Sequence, residues 1–195
     1  MNLPNRLTLS RLVLTVLFLG ALLARFPLHE TVALGLFVAA SVTDYLDGEI
    51  ARRQGLITNF GILMDPLADK ILVCSAFIAF VELDWMPAWM VIVIVARELA
   101  ITGLRLLAAS QNLVLAAEGF GKHKTVSQIV CISAILTSMA YPTWGAWARA
   151  FFEFAIVTPW VGWFTEAAKW MAVGLTVLSG SVYLWRNRSV YLSDV

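Results

Sequence analysis

Charge is scarce in this chain. Asp, Glu, Lys and Arg together make up 14% of its 195 residues, where a soluble domain carries about 25%. That shortage excludes an ordinary water-soluble fold. Cysteine is scarcer still. Cys74 and Cys131 lie in separate apolar runs, form no metal-ligand spacing, and read as small buried hydrophobes. The formal net charge of +1 sets up no field that attracts nucleic acid, so no nucleic-acid partner is expected. Repeats, low-complexity tracts and soluble extensions are lacking too.

Apolar length is what the chain has. Hydrophobic residues make up 60% of it, in recurring runs of about 18 residues or more, each able to cross a bilayer of about 30 Å as a helix. Helices are expected because only they satisfy their backbone bonds within one segment in lipid. The expectation is an all-α integral membrane protein, one transmembrane domain over 1–195. It has six spans, at about 7–25, 32–53, 61–82, 86–108, 124–142 and 165–186. The first run lacks a small-x-small cleavage site before Arg25 and reads as a retained span rather than a signal peptide. Ahead of it, MNLPNRLTLSR alternates polar and apolar residues, the pattern of a short amphipathic lead-in. Pro4 and Asn5 there signal a helix start. Segment 141–164, rich in Trp and Phe, reads as an interfacial aromatic helix; Arg149 and Glu153 shorten its apolar length as a seventh span.

Basic residues set the orientation. With the N-terminus inside, six spans return the C-terminus inside. Arg6, Arg11, Arg52, Arg53, Arg105, Lys122, Lys124, Arg186 and Arg188 then lie on the cytoplasmic side, against Arg25, Arg149 and Lys169 outside. This obeys the positive-inside rule.

One stretch breaks the apolar pattern: DYLDGEIARRQGLITNFGILMDPLADK, Asp44 to Lys70. At 100° per residue, Asp44, Asp47, Gly48 and Ala51 fall within about 100° of one helical face. Gly61 and Asp65 share a stripe on the next helix, with Asp69 one turn further. Two neighbouring antiparallel helices can therefore aim four carboxylates at one another, which is costly unless they are neutralised. Hard oxygen ligands of this kind suit Mg²⁺ or Mn²⁺, and this many can hold two ions. Gly48, Ala51 and Gly61 clear bulk from the same faces, and Arg52 offers a planar fork to phosphate. Blander readings stand beside this one. Asp65 before Pro66 also reads as an N-cap, and Asp44 with Arg52 as a structural ion pair.

The stretch also fits a signature, D-x2-D-G-x2-A-R-x8-G-x3-D-x3-D, with Asp44, Asp47, Gly48, Ala51, Arg52, Gly61, Asp65 and Asp69 at every fixed position. In this it resembles the CDP-alcohol phosphotransferases. LPNRLTLSR, DPLADKILV, ARELAITGLRLL and GKHKT, in that order, resemble one branch, the bacterial phosphatidylglycerophosphate synthases. The likeness covers about residues 3–140 and the last span; 141–164 departs from it. The resemblance implies a fold of six transmembrane helices with an amphipathic N-terminal segment. It also implies a homodimer in the bacterial cytoplasmic membrane, with the site facing the cytoplasm. It implies that Asp44, Asp47, Asp65 and Asp69 bind two metal ions, Mg²⁺ or Mn²⁺, and that Asp69 is also the catalytic base. Asn5, Thr8, Gly48, Ala51, Arg52, Thr58 and Gly61 would bind CDP-diacylglycerol.

The acceptor is read from other residues. Arg97 and Arg105 lie eight residues apart on the fourth span, about 12 Å along a near-common face. Lys122 and Lys124 open the fifth span. With Arg11, they form a candidate basic pocket for an acceptor that is itself a phosphate; the resemblance to that branch implies sn-glycerol 3-phosphate. Lys122 and Lys124 also read as positive-inside anchors, and Arg97 as one half of a pair with Glu98 or another acid. The expected reaction moves the phosphatidyl group to glycerol 3-phosphate and releases CMP. The alternatives are a sibling enzyme using inositol phosphate, serine or phosphatidylglycerol, and a divalent-cation transporter.

Overall fold

Every long apolar run forms one helix, because a straight, uninterrupted helix is what such runs satisfy best. The computed structural model describes residues 3–24, 26–54, 59–110, 113, 120–154 and 160–192. Among these the chain is helical and contains no strand. The long helices are α1 (Leu3–Leu23), α2 (His29–Gln54), α3 (Asn59–Glu82), α4 (Ala88–Ser110) and α5 (Phe120–Ala140). After α5 come a 3-10 turn (Tyr141–Trp144) and short α6 (Ala146–Phe152). Long α7 (Trp160–Arg186) and short α8 (Arg188–Leu192) follow.

The expected spans fall on these helices, with three adjustments. Helix α1 runs unbroken from Leu3, so the lead-in and the first apolar run are one helix; Pro4 sits in the first turn, as its helix-start signal implied, where its missing N–H is not needed. Helix α3 begins at Asn59 and carries Pro66 in its interior. Asp65 is therefore not the N-cap of that helix. The helix instead forgoes one i→i−4 bond at Pro66. Segment 141–164 is not one interfacial helix either. Gly145, at φ 95°, takes a conformation that L side chains rarely adopt and ends the 3-10 turn. Arg149 and Glu153 fold this corner: Arg149 Nε and Nη2 donate to the Pro142 carbonyl at 3.0 and 2.9 Å, and the Tyr141 hydroxyl donates to Glu153 at 3.4 Å. Trp160, just past Pro159, already belongs to α7 and stacks on Phe152 at 5.6 Å.

Among the described residues, two stretches are long and apolar enough to cross a membrane, His123–Trp144 and Trp160–Arg186. Leu9–Leu23 and His29–Thr43 are shorter apolar stretches.

Helices α1 and α5 each pack against both α2 and α3, and α7 packs against α4 and α5. The main core is apolar and aromatic, with Phe18, Phe37, Phe77, Phe80, Ile94, Ile132 and Leu136 buried in it. These residues lie toward the ends where α1 stops and α2 starts. A smaller cluster of Ile101, Leu104, Ala108, Tyr183 and Val190 lies toward the other end of the bundle. Neither Cys74 nor Cys131 is in a disulfide, and Cys131 is buried.

Candidate functional site

Helical membership fixes the carboxylates' places. Asp44 and Asp47 stand three residues apart on α2, and Asp65 and Asp69 four apart on α3. Each pair therefore shares a face of its own helix. Gly48, Ala51 and Arg52 continue α2, and Gly61 opens α3. The side chains of all of these, and of Asn5, Thr8 and Lys122, lie outside the described residues, as does Thr58 entirely. A donor set of four carboxylates on two helices that share the neighbours α1 and α5 has the hard-oxygen chemistry that Mg²⁺ or Mn²⁺ requires.

Described polar contacts lead from Asp69 to the candidate cations. Lys70, the residue after Asp69, donates from Nζ to the Thr102 hydroxyl on α4. Thr102 in turn donates to the Glu98 carbonyl at 2.7 Å. The Glu98 carboxylate accepts a hydrogen bond from Lys124 Nζ on α5. Arg97 Nη1 approaches the same Glu98 oxygen at 3.4 Å. Since Asp69 is one residue from Lys70, a rise of about 1.5 Å, Asp69 and the Arg97–Glu98–Lys124 cluster share one level of the bundle.

A second register puts α2 beside the same cations. Trp144 Nε1 donates to the Thr31 hydroxyl at 2.8 Å, where the α5 arm ends and α2 begins. Lys124 and Ala51 each lie twenty residues from that bond along antiparallel paths. With nearly equal rise per residue they come to about the same level, next to Arg52.

Both arginines of α4 take partners on α7. Arg97 Nη2 donates to the Ser179 hydroxyl at 3.2 Å. Its stem lies over Gly180, where an added Cβ would stand 2.8 Å from Arg97 Cγ. Arg105, more exposed, donates from Nε to the Tyr183 hydroxyl at 3.2 Å and stacks its guanidinium 5.5 Å from that ring. Arg11 is buried on α1. Gln128 on α5 donates to Thr176 on α7 at 3.1 Å and closes the polar layer. The structure thus brings Arg97 and Lys124 together through Glu98, and sets Arg105 about two α4 turns away on the Tyr183 side.

Sequence reasoning named Glu98 only as a rival partner for Arg97. It missed Lys70, Thr102, Ser179 and Tyr183. Lys70 alone had a signal, its place directly after Asp69; the others are polar residues whose partners only the packing reveals.

A cavity of about 440 Å³ opens at the opposite end, between Val81–Ala88 and α7. Lys169 there is held by Glu166 at 2.7 Å, and no residue of the carboxylate signature lines it.

The family described as CDP-alcohol phosphatidyltransferase matches residues 1–178. The chain is 42% identical to a CDP-diacylglycerol–glycerol-3-phosphate 3-phosphatidyltransferase of Bacillus subtilis, across 95% of both chains. It is 31% identical to a protein of the same name from Rickettsia felis, across 93% of both. A cardiolipin synthase (CMP-forming) of Oryza sativa is 34% identical over 71% of this chain and 46% of its own length. A family match over nearly the whole chain, carried by a complete eight-position signature, has one meaning: the chain belongs to the CDP-alcohol phosphatidyltransferase family.

Proposed function

We propose that this protein is a CDP-diacylglycerol–glycerol-3-phosphate 3-phosphatidyltransferase, making phosphatidylglycerophosphate and CMP for phospholipid synthesis. The end-to-end similarity to relatives of that name supports the reading. The observation that carries it is the polar chain Lys70–Thr102–Glu98–Lys124, which joins the helix of Asp69 to the half-buried Arg97 on α4 and the buried Lys124 on α5. An enzyme that joins two phosphate-bearing substrates needs acids on one side and cations on the other, at one level.

Each residue then has a task. Arg52 would meet the donor diphosphate, with Gly48, Ala51 and Gly61 leaving room for it and Thr58, Asn5 and Thr8 adding polar contacts. Arg97, Arg105, Lys122 and Lys124, with Arg11, would hold the acceptor phosphate and bring its free hydroxyl to Asp69. Asp69 takes the hydroxyl proton. The oxygen attacks the phosphorus that bears the diacylglycerol, a new P–O bond forms, and the bond to CMP breaks. Asp44, Asp47, Asp65 and Asp69 would hold two ions, Mg²⁺ or Mn²⁺, which when bound supply neutralising charge for the diphosphate. The spans number six, the protein crosses the bacterial inner membrane repeatedly with its site toward the cytoplasm, and two copies pair.

A second reading has its own observation, the similarity to a cardiolipin synthase. There the acceptor would be phosphatidylglycerol, whose phosphate is a diester with one negative charge rather than two.

The test supplies purified protein with CDP-diacylglycerol and one acceptor at a time, and follows CMP and the lipid product by mass spectrometry. CMP release that requires glycerol 3-phosphate, with phosphatidylglycerophosphate formed, is the expected result. Release that requires phosphatidylglycerol, serine or inositol phosphate instead overturns it. Cation flux into proteoliposomes without CMP release returns the transporter reading.

A further inference from the structure

We infer that Glu98 is a positioning residue for the acceptor: one buried carboxylate that fixes Lys124 and Arg97 and limits the positive charge they present. The inference rests on the reading of this cluster as the seat of the acceptor phosphate.

Glu98 is 4% exposed, within an otherwise apolar stretch of α4. An isolated ionised carboxylate is expensive there, and it persists because cations meet it. Two do so from two helices, Lys124 of α5 and the adjacent Arg97, through the same oxygen. Stability alone does not call for such a cluster, since apolar replacements of buried ion pairs are often neutral or better. Among the described residues Glu98 is the acid that both cations share. Lys70, the cation that α3 brings closest, is engaged by Thr102 instead.

The surroundings of Arg97 point the same way. Its stem is seated over Gly180, and Ser179 takes one of its terminal nitrogens. Its Nε is buried and makes no hydrogen bond among the described residues. A buried donor without an acceptor is costly, and an anion entering the cluster supplies one. Glu98 then does two things. It keeps Lys124 against α4 rather than extended along α5, and, as the acid that Lys124 and Arg97 share, it sets how much of their charge a dianionic phosphate monoester meets. Glycerol has no phosphate to offer, and a phosphodiester offers half the charge.

Saturation curves for each substrate, measured on Glu98→Gln, Glu98→Asp, Lys124→Met and the Glu98→Gln/Lys124→Met double variant, test this. Loss of one charged hydrogen bond corresponds to about 10-fold or more. Glu98→Gln is expected to raise the glycerol 3-phosphate KM by about that factor, with kcat and the CDP-diacylglycerol KM within about twofold. Glu98→Asp recovers part of the loss. The double variant falls well short of the product of the two single effects, because Glu98 acts in part through Lys124. The double variant leaves no uncompensated buried lysine, so the comparison survives poor folding of Glu98→Gln alone. Additive effects in the double variant overturn the inference, as does a Glu98→Gln change that strikes both substrates equally. If Glu98→Gln and Glu98→Asp do nothing while Arg97→Ala raises the acceptor KM, Glu98 is wrong and the pocket stands. If Arg97→Ala and Lys124→Met also leave that KM unmoved, the pocket itself is wrong.

Discussion

The two ends of the bundle are made of different materials. Where α1 stops and α2 and α4 start, helices meet through rings: Phe18 on Phe37 at 5.7 Å, Phe77 on Phe80 at 6.3 Å, Phe80 on Trp85 at 5.6 Å, Trp89 on Trp170 at 5.6 Å. At the level of Lys70, Glu98 and Thr176 they meet through hydrogen bonds and ion pairs that cross α3, α4, α5 and α7. In lipid, burying one apolar side chain against another gains little by itself, so the ring-lined end holds helices by close packing. The polar end holds them by groups that also suit phosphate and metal. On the proposed function, chemistry and scaffold are separated along the helix axis, and substitutions at the two ends should fail in different ways.

The largest expected effect is at the carboxylates. Asp65→Asn should lower turnover by about 10³-fold, the scale of losing a group that stabilises developing charge, while the melting temperature holds or rises as like charges are diluted. CMP release and a thermal melt on one sample check this. Asp69→Asn should lower kcat by about 10²–10⁴-fold, the range of a positioned base, with CDP-diacylglycerol binding largely kept. If donor binding falls in proportion to kcat, Asp69 is chiefly a ligand and the base assignment fails.

The opposite end should show the converse. Phe77→Ala, in the packed core, should cost about 3 kcal/mol of stability, read as a lower melting temperature, with the acceptor KM of the folded fraction unchanged. A shift in that KM would break the separation of the two ends.

Smaller effects sharpen the comparison. Arg105→Ala should raise the glycerol 3-phosphate KM by about 10-fold, and Arg105→Lys less, since lysine lacks the planar fork that meets phosphate and Tyr183 together. Gly180→Ala should displace the Arg97 stem, because the new Cβ would lie 2.8 Å from Arg97 Cγ. An overpacking penalty of about 1 kcal/mol corresponds to a few-fold rise in the same KM. An unchanged KM in Gly180→Ala would mean that the seat of Arg97 is not tuned to the acceptor.

The apolar runs made the helices legible, since long uninterrupted hydrophobic stretches have few other solutions. The carboxylate pairs stand out in the sequence because their spacing is itself the signal, though their side chains lie outside the described residues. Two kinds of feature were not legible. The corner at 141–152 turns on Gly145 and on Arg149 capping the Pro142 carbonyl, long-range choices that an aromatic-rich composition does not encode. The pairing of Glu98 with Lys124 joins residues far apart in sequence; adjacency suggested Arg97 first, and only packing of α5 against α4 supplies the second cation. Pro66 offered a competing signal. Asp-Pro reads as a helix start, yet α3 begins at Asn59, close to the start near 61 that the apolar run implied.

The central claim is that the paired carboxylates of α2 and α3 perform the chemistry while the ring-packed end only holds the frame. CMP release by purified Asp47→Asn protein, with CDP-diacylglycerol, glycerol 3-phosphate and Mg²⁺ all saturating, tests it most directly. The account predicts release at background in a protein that melts no lower than the unmodified one. Release near the unmodified rate from that folded protein would contradict it.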